Sequence, residues 1–145
     1  MNNPIEFGHP VDVVFSAKEL SQRQQNILGK LPGYGSQVIV DKRDVSMIDL
    51  SALTAKTGDE FAMFTRGGKR LIVRGDYRSV PISVESAAVL HNEGYRWSGH
   101  THVGLADTSL IASNGDKRIL KEFEQSKSAL YNAAGKYTLV TLKEV

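Results

Sequence analysis

The 145-residue sequence contains no cysteine. Disulfide stapling and thiolate ligands are thereby excluded, and any metal ion must be held by His, Asp or Glu. Neither sign of charge is in excess: 18 basic and 16 acidic residues leave a net charge of +2, scattered without runs. That balance provides no electrostatic footprint for nucleic acid or for an anionic membrane surface, so neither is expected as a partner. No apolar stretch approaches the roughly 20 residues that a membrane helix needs. Met1 to Pro10 lacks the basic-then-apolar pattern of a secretory signal, so a cytoplasmic location, or delivery as part of a larger protein, is expected. Repeats, linkers and low-complexity segments are missing as well. Histidine is scarce, with only His9, His91, His100 and His102.

What is there describes one globular domain. Hydrophobic residues make up 41% and charged residues 23%, enough for a core at this length. Val11 to Phe15 is a short apolar run, suited to a strand or packed arm. Ser16 followed by Glu19 has the form of a helix capping box, and Leu20, Ile27, Leu28 and Leu31 continue it as an amphipathic stripe until Pro32-Gly33-Tyr34-Gly35. A short strand is expected at Gln37 to Val40 and a helix at Asp44 to Ala55, with Met47, Leu50 and Leu53 on one face. Glu60 to Thr65 and Arg70 to Val73, separated by Gly67-Gly68, predict a β-hairpin. Its first strand sets Glu60, Ala62 and Phe64 on one face and Phe61 and Met63 on the other. Ser83 caps a helix expected to run to Glu93, with Ala87, Ala88 and His91 facing one way and Gly94 as its stop.

Tyr95 to His102 then reads as a strand, Val103 to Ala112 as a loop, and Ser113 as the opening of a helix covering Asp116 to Lys127. In that helix Ile119, Leu120 and Phe123 form the buried stripe. A final hairpin is expected from Ala129 to Asn132 and Lys136 to Leu142 around Gly135. The order after residue 58, β-β-α-β-α-β-β, predicts an α/β (α+β) fold: a mixed β-sheet flanked by helices. Residues 1–145 form a single domain, of which 1–57 is an N-terminal extension packing on a 58–145 core.

His100 and His102 sit one residue apart near the end of their strand. In extended backbone, side chains at i and i+2 share a face, so both imidazoles point the same way and can supply two ligands of a metal site. A carboxylate would make the third, and Asp116 is the candidate. The plainer alternative makes the histidines surface polars at a strand end. Likewise, Ser113 to Asp116 has the form of a helix capping box. That role is compatible with ligation, because a helix N-terminus brings Asp116 to the sheet edge. Glu60 shares its strand face with core-type residues, and a carboxylate among apolar neighbours is costly unless it has a partner or a task. Glu85 and Glu93 are the fallback carboxylates. His91 is read as a packed or surface histidine, His9 carries no signal, and Trp97 fills core or lines the cleft.

Glu60, then a helix, then the strand Gly94-Tyr95-Arg96-Trp97-Ser98-Gly99-His100-Thr101-His102, then Ser113-Asn114-Gly115-Asp116 resembles the JAMM metalloproteases, the MPN-domain group. The resemblance spans about residues 58–142. It implies a JAMM/MPN-like fold with a cytidine-deaminase-like layout and a Zn2+ held by His100, His102 and Asp116. It further implies Glu60 as general base and Ser113 as hydrogen-bond donor to the substrate oxyanion, on a protein or peptide substrate cleaved at a peptide or isopeptide bond. Two features differ from the family. Val103 follows the second histidine where the family has proline, and ten residues separate His102 from Ser113 where its spacing is shorter. Asp107, within that loop, is the spare carboxylate.

Two further resemblances bear on function. Residues 44–66 and 98–132 look like C-terminal domains of bacterial polymorphic-toxin and phage head-associated proteins, which implies an effector domain with an immunity protein as partner. Ser98-Gly99-His100-Thr101-His102 is also similar to the Gly-His-x-His signature of calcineurin-like phosphoesterases. Those enzymes need upstream elements that this sequence lacks, since Gly75-Asp76 stands alone. A non-catalytic MPN-type protein-binding module is the remaining alternative, although such modules have usually lost the ligand set that is retained here.

Overall fold

Two separate apolar clusters, one on each face of a six-stranded mixed sheet, hold the chain together. The computed structural model describes residues 19–142. Among these, four α-helices flank the sheet: α1 (Gln22–Gly29), α2 (Met47–Thr57), α3 (Val84–Asn92) and α4 (Asn114–Glu122). The strands are β1 (Gln37–Asp41), β2 (Phe61–Arg66), β3 (Lys69–Arg74), β4 (Arg96–Thr101), β5 (Lys127–Tyr131) and β6 (Tyr137–Thr141). Their order across the sheet is β1-β3-β2-β4-β5-β6. Every pairing is antiparallel except β4 with β5, which are parallel and joined through α4. The fold is therefore α/β (α+β), as the order of elements predicts.

β2 shows why the sheet is covered twice. Phe61, Ala62, Met63 and Phe64 are all buried, the continuous apolar run expected of a strand packed on both faces. Phe61 and Met63 join Ile27, Leu31, Leu50 and Leu53 from the α1–α2 side. Ala62 and Phe64 join Ala87, Leu120 and Phe123 from the α3–α4 side. On the first side, Asp49 ties the two helices: its carboxylate lies 2.6 Å from Arg23 and accepts from the Gln24 amide at 2.9 Å. β1, from the stretch expected to be an extension, pairs residue for residue with β3 from Gln37–Val73 to Asp41–Lys69.

Several boundaries differ from the expectations. The run at Val11–Phe15, the cap at Ser16 and His9 lie outside the described residues. Within them, α1 starts at Gln22, where Ser21 and Gln24 make the reciprocal capping box. α2 starts at Met47 rather than Asp44, because Lys42–Asp44 form a 3-10 turn and Ser46 is the cap. α4 stops at Glu122 rather than Lys127. Glu124 takes a left-handed φ of 55° and turns the chain. Gln125 then uses its side chain as a strand would, accepting from Trp97 N at 2.7 Å and donating to Trp97 O at 2.9 Å.

The β2–β4 register contains one irregularity that shapes the site. Met63 pairs with Gly99 but Phe64 pairs with Trp97, leaving Ser98 as the extra residue of a β-bulge. Its hydroxyl bonds Thr65 Oγ1 at 2.6 Å. Without the bulge Trp97 and His100, three residues apart, would face opposite sides of the sheet. With it they share a side, and their rings stack with centroids 5.0 Å apart.

Gly99 lies where β4 passes closest to α2 and β5. A Cβ there would meet the Ala129 carbonyl oxygen at 2.6 Å and Met47 Sδ at 3.0 Å. Gly99→Ala is expected to lower stability by about 1–3 kcal/mol through overpacking, read from the midpoint of urea unfolding. A variant as stable as the parent would show that this approach is not tight in solution.

Candidate metal centre

His100 is the penultimate residue of β4 and His102 follows the strand's last residue, so both rings leave the same side of the chain. His102 N donates to the Tyr131 carbonyl at 2.9 Å, which carries the β4–β5 pairing one residue further and holds the second ring in line with the first. From the facing element, Asp116 occupies the third residue of α4. Its Oδ2 accepts from Ser113 N at 2.9 Å, and Ser113 Oγ accepts from Asp116 N at 2.9 Å. The capping box thus fixes the direction of the carboxylate, and that direction is toward the imidazoles.

The three side chains converge. Asp116 Oδ1 lies 3.1 Å from His100 Nε2, Asp116 Oδ2 lies 3.3 Å from His102 Nε2, and the two Nε2 atoms are 3.2 Å apart. A tetrahedral ion with bonds of about 2.0–2.1 Å separates its ligand atoms by about 3.3–3.4 Å. The contacts to Asp116 use both carboxylate oxygens; with one ligand atom taken from each residue, the three atoms lie within 4.8 Å of one another, and the group could hold a metal ion. The tautomer of His102 fits as well. Its Nδ1 is 2.9 Å from the Ser109 carbonyl, which can only accept, so Nδ1 carries a proton and Nε2, which faces Asp116, is the nitrogen turned to ligate an ion. His100 is buried against Trp97, and its Nδ1 has no hydrogen-bond partner among the described residues.

Electrostatics follow from this crowding. Burial pushes the Asp116 carboxyl up, but hydrogen bonds to His100 and His102, the charge of His100 and the Ser113 N–H outweigh it and hold the group well below the usual carboxylate range. Burial lowers His100 despite Asp116. For His102 burial acts the same way but is outweighed by the bond to Asp116 and the charges of Glu60 and Asp116, so it is raised.

Glu60 lies on the same side of the sheet. It immediately precedes β2, its backbone paired with Gly75 and Asp76. Because Ala62 pairs with His100, strand alternation puts Glu60 on the same face as both imidazoles, opposite His102. The residue is only 7% exposed. Burial raises its carboxyl to about 7; His102 draws it down, while Asp116 and Asp76 push it up.

The other candidates stand apart. Asp107 is 85% exposed, and its ionic neighbour among the described residues is Lys136 at 3.4 Å. Glu85 and Glu93 are exposed on or beside α3, and His91 packs edge-on against Phe123. Ser113 is exposed, and its hydroxyl serves the cap while keeping its own proton free to donate.

Supporting residues came from places that pattern reading passed over. Thr101, between the histidines, points to the opposite face, where its buried hydroxyl shares a 2.6 Å hydrogen bond with Thr54 on α2 and accepts from Phe61 N at 2.9 Å. It thereby ties β4 to the residue after Glu60. Only its position inside His-Thr-His could have drawn attention to it. No helix among the described residues is long and apolar enough to cross a membrane. No family model, curated protein or solved structure matches the chain.

Two outcomes are expected. Elemental analysis of metal-replete protein gives one divalent ion per chain, and Asp116→Ala loses it while also costing the metal-free protein about 1 kcal/mol through the broken capping box. Retention of the ion by Asp116→Ala would remove the carboxylate from the ligand set. Secondly, a carboxyl raised from 4.5 to about 7 on folding keeps its proton longer in the folded state. Its stabilising contribution is present below pH 4.5 and lost as pH rises through 7. Metal-free Glu60→Gln therefore gains on wild type by on the order of 2–3 kcal/mol between pH 4.5 and 8 in urea unfolding; a pH-independent difference would refute the assignment.

Proposed function

We propose that the chain is a zinc-dependent hydrolase of peptide or isopeptide bonds, of the JAMM type. The observation that carries this reading is the convergence of His100, His102 and Asp116 within 3.3 Å of one another, with the buried Glu60 on the same face of the sheet. Three protein donors on one side leave a coordination position open, the pattern of a catalytic rather than a closed structural site. Zinc, when bound there, supplies the Lewis acidity that makes water nucleophilic near neutral pH.

The chain's own groups divide the remaining work. Glu60 takes a proton from the attacking water on its carboxylate and returns it to the leaving amine nitrogen. Its raised affinity for protons suits both halves, since a group titrating near neutrality can accept and then release. The Ser113 hydroxyl, fixed by the cap at the mouth of α4, donates to the carbonyl oxygen as negative charge develops on it. Loss of one such donor lowers the rate by about 100-fold or more. Trp97 backs His100 and keeps the ring from tilting. The retained donor set favours this reading over the metal-free binding module. A phosphoesterase would need a second metal, and the described residues contain no second group of donors for one.

Glu60→Gln is expected to retain the metal and to lose at least 100-fold in cleavage of peptide and isopeptide-linked substrates. Cleavage at the wild-type rate by the metal-loaded variant would take Glu60 out of the mechanism. Iron in place of zinc on elemental analysis would redirect a two-histidine, one-carboxylate site toward oxygenase chemistry.

A further inference from the structure

Asn132 is a fully buried polar residue directly after β5, and every one of its polar atoms is used. Its backbone N donates to the Lys136 carbonyl at 2.9 Å, and its backbone carbonyl accepts from Ser51 Oγ on α2. Its Oδ1 accepts from Ala134 N and Lys136 N, both at 3.0 Å. Its Nδ2 donates to the carbonyls of Leu105 and Ala106, both at 3.3 Å. Backbone N–H groups only donate and carbonyls only accept, so these neighbours fix which end of the carboxamide is which.

Leu105 and Ala106 belong to the loop that leaves His102. The Ala106 carbonyl also accepts from Ser109 N at 3.0 Å and Ser109 Oγ at 2.6 Å. Ser109 in turn presents its own carbonyl to His102 Nδ1. A single run of contacts therefore leads from Asn132 Nδ2 through Ala106 and Ser109 to the metal-facing imidazole. Ala133 N, bonded to the Gly104 carbonyl at 2.9 Å, anchors the start of the same loop.

We propose that Asn132 is a positioning residue for the metal centre: its carboxamide seats the 104–109 loop so that the Ser109 carbonyl holds His102 in its Nδ1–H form, with Nε2 turned toward the ion. This rests on the reading that His100, His102 and Asp116 bind metal. Partners of this kind, which orient a ligand without touching the ion, typically set 10–100-fold of metal affinity. The ten-residue spacing between His102 and Ser113 makes such a clamp necessary, because a long loop left to itself has many arrangements and only some put an acceptor behind His102.

The test is zinc titration of wild type, Asn132→Asp and Ser51→Ala, with the His102 tautomer read by nitrogen-15 NMR of the zinc-loaded proteins. Asn132→Asp keeps the size and the Oδ1 acceptor but sets an oxygen against two carbonyls. It should weaken zinc binding 10–100-fold and shift His102 away from the pure Nδ1–H form. Ser51→Ala breaks the contact to α2 alone and should lower the melting temperature with zinc affinity and tautomer unchanged. Asn132→Asp with wild-type affinity and tautomer overturns the proposal, as does an equal loss of affinity in Ser51→Ala, which would make the role merely structural. Should Asn132→Asp not fold, the wild type decides. By linkage, zinc must slow exchange of the Asn132 side-chain amide protons, and exchange that zinc leaves unchanged is also a refutation. Wild type that binds no metal sinks the site reading itself. Wild type that binds, beside an indifferent Asn132→Asp, sinks only the role of Asn132.

Discussion

One carboxylate does two things at once. Asp116 closes the first turn of α4 by accepting from Ser113 N on Oδ2, while its Oδ1 faces His100 and its Oδ2 faces His102. A helix N-terminus favours an anion in its first turn, so the charge that completes the donor triangle also stabilises the element carrying it. The two roles need the same orientation of the same side chain. For that reason the capping explanation of Ser-x-x-Asp and the ligand explanation are not rivals here.

The facing strand is constrained just as closely. β4 lies against α2 with no room for a side chain at Gly99, and on that same face Thr101 ties it to Thr54 and Phe61. On the other face, the bulge at Ser98 turns Trp97 onto the ring of His100. Both histidines are thus presented from backbone that is packed on two sides, which is how a site keeps its geometry with only three donors. The buried Glu60 and the Nδ1 of His100, without a partner among the described residues, are groups that packing alone would not favour. Their clustering at one end of β2 and β4 is what sets this region apart from the rest of the core.

The parallel pairing of β4 and β5 gives the arrangement its direction. Strand ends that would be separated in a hairpin come side by side, so the chain leaving β4 and the chain leaving β5 meet. His102, Gly104 and Ala106 are bonded to Tyr131, Ala133 and Asn132 respectively. The loop behind His102 is therefore seated by the end of a neighbouring strand rather than by its own sequence.

Strand alternation and helix capping are local rules, and whatever obeyed them could be seen in the sequence. His100 and His102 share a face because they are two apart, Asp116 heads a helix because Ser113 precedes it by three, and Glu60 lies among apolar strand neighbours. The element order from β2 onward rests on the same rules. What escaped them depends on partners far along the chain: Thr101 on Phe61, 40 residues away, Asn132 on Leu105, 27 away, and Gln125 on Trp97, 28 away. The bulge at Ser98 belongs to this group, since it exists only against β2. The early end of α4 does too, because Gln125 left the helix to satisfy the backbone of Trp97. The amino-acid order alone decided which donors are present, that none is a thiolate, and which side of each element they occupy. Only the tertiary structure decided that they meet, because bringing β2, β4 and α4 to one point requires the parallel crossover and the buried contacts that no single segment contains.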